Sequence, residues 1–371
     1  MLEIKEHNVK AFFELVKAGL WEKEVQLASF GGIDFQEVCR LANEQAVIGL
    51  VAAGLEHIVD MKPPKEVTLQ FIAQTLQLEQ RNNAMNHFIG MIVDKMRHKD
   101  IYTLLVKGQG VAQCYERPLW RVSGDIDFYL GKEDYEKAKS FLLPIAKNVE
   151  PEDRRRLHLG MTIAPWIVEL HGTMYSDISR KMKAMSDEVH DDIFYNGNVR
   201  SWDNDGVTVF LPSANNDIII VFNHFVSHFY GEGIGLRQVC DWCRLLWTYR
   251  NEIDIVLLEK RLKKMRLMAE WKAFAVFAVE YLGMPAETMP FYENNKKNRK
   301  RARKISKLII ETGNFGVNKD SSYRNEGPKW KEYFQTFYIR AKEFGRISSI
   351  FPLNALRFFI TYIQNRFIAI I

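Results

Sequence analysis

The 27 residues from Leu104 to Leu130, LLVKGQGVAQCYERPLWRVSGDIDFYL, constrain this chain more than any other stretch. Leu104, Leu105 and Val106 form an apolar run that reads as a buried strand. It stops at Lys107-Gly108-Gln109-Gly110, where two glycines supply the positive φ of a tight turn. Val111 to Tyr115 reads as a helix ended by Pro118, and Arg121 with Ser123-Gly124 leads into a second strand, Asp125-Ile126-Asp127-Phe128-Tyr129-Leu130. Side chains alternate along a strand, so Asp125 and Asp127 share one face while Ile126 and Phe128 point toward a core. Two neighbouring carboxylates repel, and a divalent cation between them relieves the repulsion. Hard oxygen ligands at this spacing suit magnesium or manganese better than zinc. An acidic strand end facing water is the plain alternative.

Lys107-Gly108, a helix, Arg121 and Gly124-Asp125-Ile126-Asp127 together resemble the signature of the polymerase β-like nucleotidyltransferase superfamily. More narrowly, they resemble a bacterial family of uncharacterised nucleotidyltransferases. The resemblance runs from about residue 35 to 250, with a weaker echo at Glu311-Thr312-Gly313-Asn314-Phe315-Gly316. It implies a third carboxylate on a later strand. Trp166-Ile167-Val168-Glu169-Leu170-His171 supplies one, with Glu169 on the face of Ile167 and His171, and His158 to Ile163 as the partner strand across an Ala164-Pro165 turn. The superfamily carries Gly-Ser where this chain has Gly108-Gln109, so a hydroxyl expected at the phosphates is missing.

The chemistry implied by the resemblance is in-line attack of an acceptor oxygen on the α-phosphorus of a nucleoside triphosphate. Asp125, Asp127 and Glu169 would bind two Mg2+ (or Mn2+) ions about 4 Å apart, and Glu169 would serve as general base. Lys107, Gly108, Gln109, Arg121, Ser123 and Arg237 would bind the nucleotide. Gly108 and Gly110 would let backbone amides approach the phosphates, and Lys107 and Arg121 would neutralise the leaving group. Lys107 also reads as an ordinary strand-end lysine. His171 would orient Glu169 or the acceptor. The implied fold class is α+β, a small mixed-sheet core flanked by helical regions. The chain then divides into an N-terminal helical lobe (1–100), the α/β core (101–212) and a C-terminal helical region (213–371).

Composition limits the alternatives. The chain of 371 residues, 47% hydrophobic and 26% charged, has the make-up of a soluble globular protein with room for large cores. A net charge of +5 favours an anionic ligand without arguing for nucleic acid. Cys39, Cys114, Cys240 and Cys243 are too few for a disulfide scaffold. The opening residues lack the apolar core of a signal peptide, so the expectation is a cytoplasmic protein with no transmembrane segment.

Residues 1–100 carry apolar positions at helical spacing: Phe12, Phe13, Val16 and Leu20, then Leu41, Ile48, Val51, Ala52 and Leu55 after an Asp34 cap. A long amphipathic helix from Val67 to about Met96 follows, with Leu69, Ile72, Leu76, Met85, Phe88, Ile89, Ile92 and Val93 read as core. Arg81 and Asn82 are open to a place facing the cleft, with a solvated face as the default reading. Lys132 to Leu143 reads as a helix over the sheet. Met174 to Asn198, with Asp187, Glu188, Asp191 and Asp192, reads as a helix and loop bordering the site. Val207 to Leu211 reads as a strand, with Ser213 as the next helix cap.

His224 and His228 fall on one helical face. Their spacing, followed by Cys240-x-x-Cys243, admits a zinc site. Leu236, Val239, Cys240, Cys243, Leu246 and Trp247 also form a helical core stripe that uses both cysteines as small apolar residues, which is the preferred reading. Under the resemblance, the histidines and Leu236-Arg237-x-x-x-Asp241 look like the helical half that closes over the nucleotide. Arg237 would meet phosphate or ribose, and Asp241 would hold Arg237 or a histidine. A salt bridge between two helices is the plain alternative.

Lys296, Lys297, Arg299, Lys300, Arg301, Arg303, Lys304 and Lys307 form a basic run suited to RNA, acidic lipid or a polyanion. Interleaving with Ile305, Leu308 and Ile309 favours a solvated helix face. The apolar residues from Ile347 to Ile371, interrupted by Arg357, Asn365 and Arg366, read as a docked amphipathic helix, with an interfacial membrane helix as the minor alternative. The preferred function is a nucleotidyltransferase acting on a small-molecule, sugar or protein acceptor. A catalytically inactive nucleotide-binding relative and an RNA-binding or RNA-modifying protein are the other two classes.

Overall fold

Thr103–Val106 (β1) and Asp125–Leu130 (β2) pair antiparallel, and a seven-stranded mixed sheet grows outward from them. The computed structural model describes residues 6–174, 179–231, 233–318, 339 and 341–368. On one side of the central pair, Trp166–His171 (β5) runs parallel to β2, followed by His158–Ile163 (β4) and Asn148–Val149 (β3), both in antiparallel pairings. On the other side Val207–Pro212 (β7) runs parallel to β1 and Val199–Asn204 (β6) closes the edge. The α+β class with a mixed sheet is as expected, and the strands at β1, β2, β4, β5 and β7 coincide with the sequence expectations. β6 was not expected, because Val199–Asn204 is mostly polar and lies at a sheet edge, where only one neighbour imposes a pattern.

Alternation along β2 sorts its side chains onto two cores. Ile126, Phe128 and Leu130 join Val168 and Leu170 of β5 under Lys65–Arg97 (α4) and Lys132–Leu142 (α6). Tyr129, with Leu104 and Val106 of β1, joins the larger core on the opposite face, built with Arg180–Phe194 (α7), Ala214–Tyr230 (α8) and Leu236–Thr248 (α9). Helices from both ends of the chain share that larger core. Phe13 of Glu6–Trp21 (α1) packs edge-on against Phe277 of Met268–Leu282 (α11), and the Trp21 indole donates to the Leu282 carbonyl. Asp34 caps Phe35–Glu44 (α2) as expected, accepting from the Gln36 and Glu37 amides.

Several local expectations are corrected. The turn after β1 is compressed: α5 (Gly108–Ala112) starts at once, and positive φ falls on Lys107 (56°) and Gly108 (37°), while Gly110 sits inside the helix. A Cβ at 110 would come 2.9 Å from Leu211 Cδ2, so that position calls for close packing rather than unusual φ. In α4 the first-half stripe of Leu69, Ile72 and Leu76 is exposed, because the packed side of that half is Val67, Phe71 and Leu78. Asn82 of α4 is fully buried rather than solvated. Ser213 stands at the N-terminus of α8, but its side chain makes no capping bond; its carbonyl accepts from Asn216 and Asp217.

The basic run lies on Lys296–Thr312 (α12), where Ala302, Ile305 and Ile309 are buried and most of the cations face solvent. The C-terminal helix Pro352–Ile368 docks through Ala355 and the Phe358 ring against Tyr230. The side chains of Tyr362, Asn365, Arg366, Phe367 and Ile368, which entered the sequence expectation, lie outside the described residues, as does the chain from 369 to 371. Among the described residues no helix is long and apolar enough to cross a membrane.

Candidate functional site

The register between β2 and β5 brings the acidic residues together. Asp127 stands directly opposite Glu169, and Asp125 opposite Ile167, so three carboxylates from two parallel strands converge with their ligand oxygens all within 4.8 Å of one another. Asp127 is buried and doubly engaged. Lys107 Nζ donates to its Oδ1 at 2.9 Å, and His171 Nε2 lies 2.8 Å from the same oxygen. Lys107 is therefore part of the site and not a surface lysine. Its φ of 56° is one that L-residues avoid. Glu169 Oε2 lies 3.2 Å from His158 Nε2 and 3.3 Å from His171 Nε2.

The charges are unevenly distributed. The neighbouring Asp127 carboxylate, together with burial, pushes the Asp125 carboxyl above its ordinary value. Burial works against the charged form of Asp127, but Lys107 and His171 outweigh it and hold its carboxyl down. His158 and then His171 hold Glu169 well below the usual range. For Lys107 and His171 burial opposes the cation, and the carboxylates facing them prevail, so both are shifted up. Asp125 is thus the carboxylate whose negative charge is least compensated. The set offers only oxygen ligands, it lies beside a cavity, and one member is raised by its neighbour. That chemistry fits a hard divalent cation such as magnesium or manganese, which Asp125, Asp127 and Glu169 would hold.

The carboxylates border a cavity of about 240 Å³ whose other walls come from the helices. Val221, His224, Phe225 and His228, spaced by one helical face of α8, line it from above. Arg237, Gln238 and Asp241 of α9 line it from the side, and Phe315 completes the wall with its ring 4.7 Å from that of His228. Burial and then the Lys107 charge push His228 down to about 4, and burial pushes His224 well below its ordinary value, so both imidazoles are neutral at pH 7. Burial, followed by the Arg121 charge, lowers the pKa of Arg237.

Asp241 does not hold Arg237 or a histidine. It binds Arg121 in a bidentate pair, Nε to Oδ1 and Nη2 to Oδ2, both at 2.7 Å, and accepts from the Tyr115 hydroxyl at 2.7 Å. The reason is reach. Pro118–Trp120 carries Arg121 under α9, while Arg237, one turn earlier, donates instead to the Val122 carbonyl at 2.7 Å.

Of the residues singled out in the sequence, Lys107, Gly108, Arg121, Asp125, Asp127, Glu169, His224, His228, Arg237 and Asp241 line one cavity. Gln109, Ser123 and His171 stand behind it. The Gln109 amide donates to Asn82 Oδ1 at 3.0 Å, and Asn82 Nδ2 in turn donates to the Leu119 and Arg121 carbonyls at 2.7 and 2.8 Å. Gln109 therefore braces the loop that carries Arg121. Ser123 Oγ accepts from Arg121 Nη1 at 2.9 Å.

The described part of 174–198 does not border the cavity. Asp187, Glu188, Asp191 and Asp192 of α7 face a separate groove with Arg261 and Lys264. Cys240 and Cys243 are buried free thiols of the core stripe. Among the described residues they join neither of the donor groups compact enough for an ion, Asp125-Asp127-Glu169 and His158-Glu169-His171. Sequence reasoning assigned no role to Tyr115 or His158, set Asn82 on a solvated face by default, and touched Phe315 only through the weaker echo at 311–316. His158 carried a signal, since it begins the strand assigned as the partner of the Glu169 strand, and Phe315 carried one in that echo.

Searches of curated proteins and of solved structures return no match. A family model described as uncharacterised nucleotidyltransferase matches residues 31–283, reaching past 35–250 at both ends, and the chain belongs to that family.

Proposed function

We propose that the protein transfers a nucleoside monophosphate from a nucleoside triphosphate to an acceptor hydroxyl or phosphate, with Asp125, Asp127 and Glu169 as its metal-binding carboxylates. The observation that carries this reading is the β2–β5 register, which sets Asp127 against Glu169, with Asp125 alongside, at the edge of a cavity with cationic side chains. A bound magnesium or manganese ion would supply charge neutralisation and a lowered pKa for the acceptor hydroxyl. The remaining work falls to the chain itself.

Lys107, paired with Asp127, compensates one carboxylate and stands within the cavity, where a phosphate would meet it. Arg237 carries a charge that burial and Arg121 disfavour, and an anion beside it would relieve both effects. Arg121 is neutralised by Asp241 and acts as a positioning residue, fixing the Val122 carbonyl region and α9 relative to β2. His224 and His228, neutral, offer hydrogen bonds to ribose or base without adding charge.

The small cavity supports a small-molecule, sugar or exposed protein side-chain acceptor in preference to a duplex nucleic acid. The four buried free thiols support a reducing, cytoplasmic setting. The test is calorimetric titration of nucleoside triphosphates with and without magnesium, in the intact chain and in an Asp125→Asn/Asp127→Asn double variant. Micromolar binding that needs the ion and disappears in the double variant is expected. Binding indifferent to both would remove the transferase reading.

A further inference from the structure

Two imidazoles that do not line the cavity converge on the Glu169 carboxylate. His158 and His171 are register partners on the antiparallel strands β4 and β5, with ring centroids 4.8 Å apart. Their Nε2 atoms lie 3.2 and 3.3 Å from the same oxygen, Glu169 Oε2. We propose that His158, His171 and Glu169 form a second divalent-metal site that takes a borderline transition-metal ion, zinc foremost, and is chemically distinct from the all-carboxylate set.

Three observations carry it. First, the spacing suits coordination. Zinc bonds to imidazole nitrogen and carboxylate oxygen of about 2.0–2.2 Å put neighbouring donors of a tetrahedral or octahedral shell about 3.0–3.5 Å apart. Both measured separations fall in that interval, and both exceed the mode of about 2.9–3.0 Å for an N–H···O bond. Second, the donor set is selective. Two imidazoles and one carboxylate make up the ligand set of open zinc sites and rank the ion by softness, whereas magnesium seeks oxygen alone. Third, the site has a route of entry. The His158 side chain is 32% exposed while that of His171 is 11% exposed. Neither histidine lines the cavity beside Asp125, so an ion would enter past β4. Asp127 Oδ1 lies 2.8 Å from His171 Nε2 in a hydrogen bond that an ion on that nitrogen would replace. The strands already hold both rings in place without a metal, so little ordering is left for binding to supply.

The inference does not depend on nucleotide transfer, and its test contains no nucleotide. Co2+, a spectroscopic stand-in for zinc, is titrated into the full chain at neutral pH and followed by visible d–d absorption and by pulsed EPR of 14N couplings. The same titration is run on His158→Gln and Asp125→Asn. The expected result is one Co2+ per chain with couplings from two imidazoles. Affinity should fall at least about tenfold, and one coupling disappear, in His158→Gln, with the signal retained in Asp125→Asn. No binding, bound cobalt without nitrogen coupling, unchanged affinity in His158→Gln, or equal loss in Asp125→Asn would each overturn the proposal. If circular dichroism shows that His158→Gln does not fold, the nitrogen couplings of the unaltered protein decide the question alone.

Discussion

Replacing Asp241 with alanine tests whether the α9 wall is held to the β-sheet core by a buried ion pair. Arg121 and Asp241 are 5% and 6% exposed, and the carboxylate receives two short guanidinium bonds and the Tyr115 hydroxyl. Truncation would leave a buried guanidinium without its paired carboxylate, with only the more distant Asp125 charge across the cavity. Removing one partner of a buried pair costs about 3–5 kcal/mol, most of it the penalty on the abandoned charge. A stranded Tyr115 hydroxyl places the expectation in the upper half of that range. The assay is equilibrium urea unfolding, read as a shift in midpoint at constant slope. The double variant Arg121→Met/Asp241→Leu separates charge from packing. With both charges gone it should recover to within about 1–2 kcal/mol of the starting protein. A loss below about 1 kcal/mol in Asp241→Ala, or a double variant less stable than the single one, would refute the argument that the pair is dry and mutually dependent.

Two further outcomes follow from the geometry. Gly19 lies where α1 crosses Ile48–Glu56 (α3): a Cβ there would sit 1.9 Å from the Leu50 carbonyl oxygen, and one at Gly54 would sit 2.1 Å from that of Leu15. Gly19→Ala should therefore destabilise by about 1–3 kcal/mol or more despite alanine's better helix propensity, while Gly32→Ala, with no atom near its Cβ, should stay within about 0.5 kcal/mol by thermal unfolding. For pH, His228 is held at about 4 by burial and then by Lys107, against 6.5 in the ordinary state. A depressed histidine binds fewer protons folded than unfolded. Its contribution is therefore present above 6.5 and is lost as pH falls toward 4, about 1–2 kcal/mol between pH 7 and 5 once cavity solvent is allowed for. Urea midpoints of His228→Gln should fall less steeply than those of the unaltered protein across that interval, and parallel curves would contradict the assignment.

Local pattern went far in this chain. The alternation in Asp125-Ile126-Asp127-Phe128 was legible because a strand has only two faces, and the two cores of the structure divide along that alternation. The Asp34 cap, the extent of α4 and the hairpin of β4 with β5 were legible for the same reason: capping chemistry, a period of 3.6 and a period of 2 are properties of the chain within a few residues. Where local pattern misled, a distant segment decided. Leu69, Ile72 and Leu76 have helical spacing, yet among the described residues that side of α4 is exposed. Asn82 is polar in a helix, yet it braces the Arg121 loop from within. The acidic residues of α7 resemble site residues in composition but face another groove.

The sequence by itself determined most of the secondary elements, the face on which Asp125 and Asp127 stand, and the family, since each depends on residue type and short spacing. Only the tertiary structure decided that Glu169 meets Asp127 across a parallel register, that Asp241 takes Arg121 and leaves Arg237 to the cavity, and that His158 and His171 share one oxygen. Those pairings join residues up to 120 positions apart. Their energies depend on which surfaces exclude water together, a property that no single segment carries.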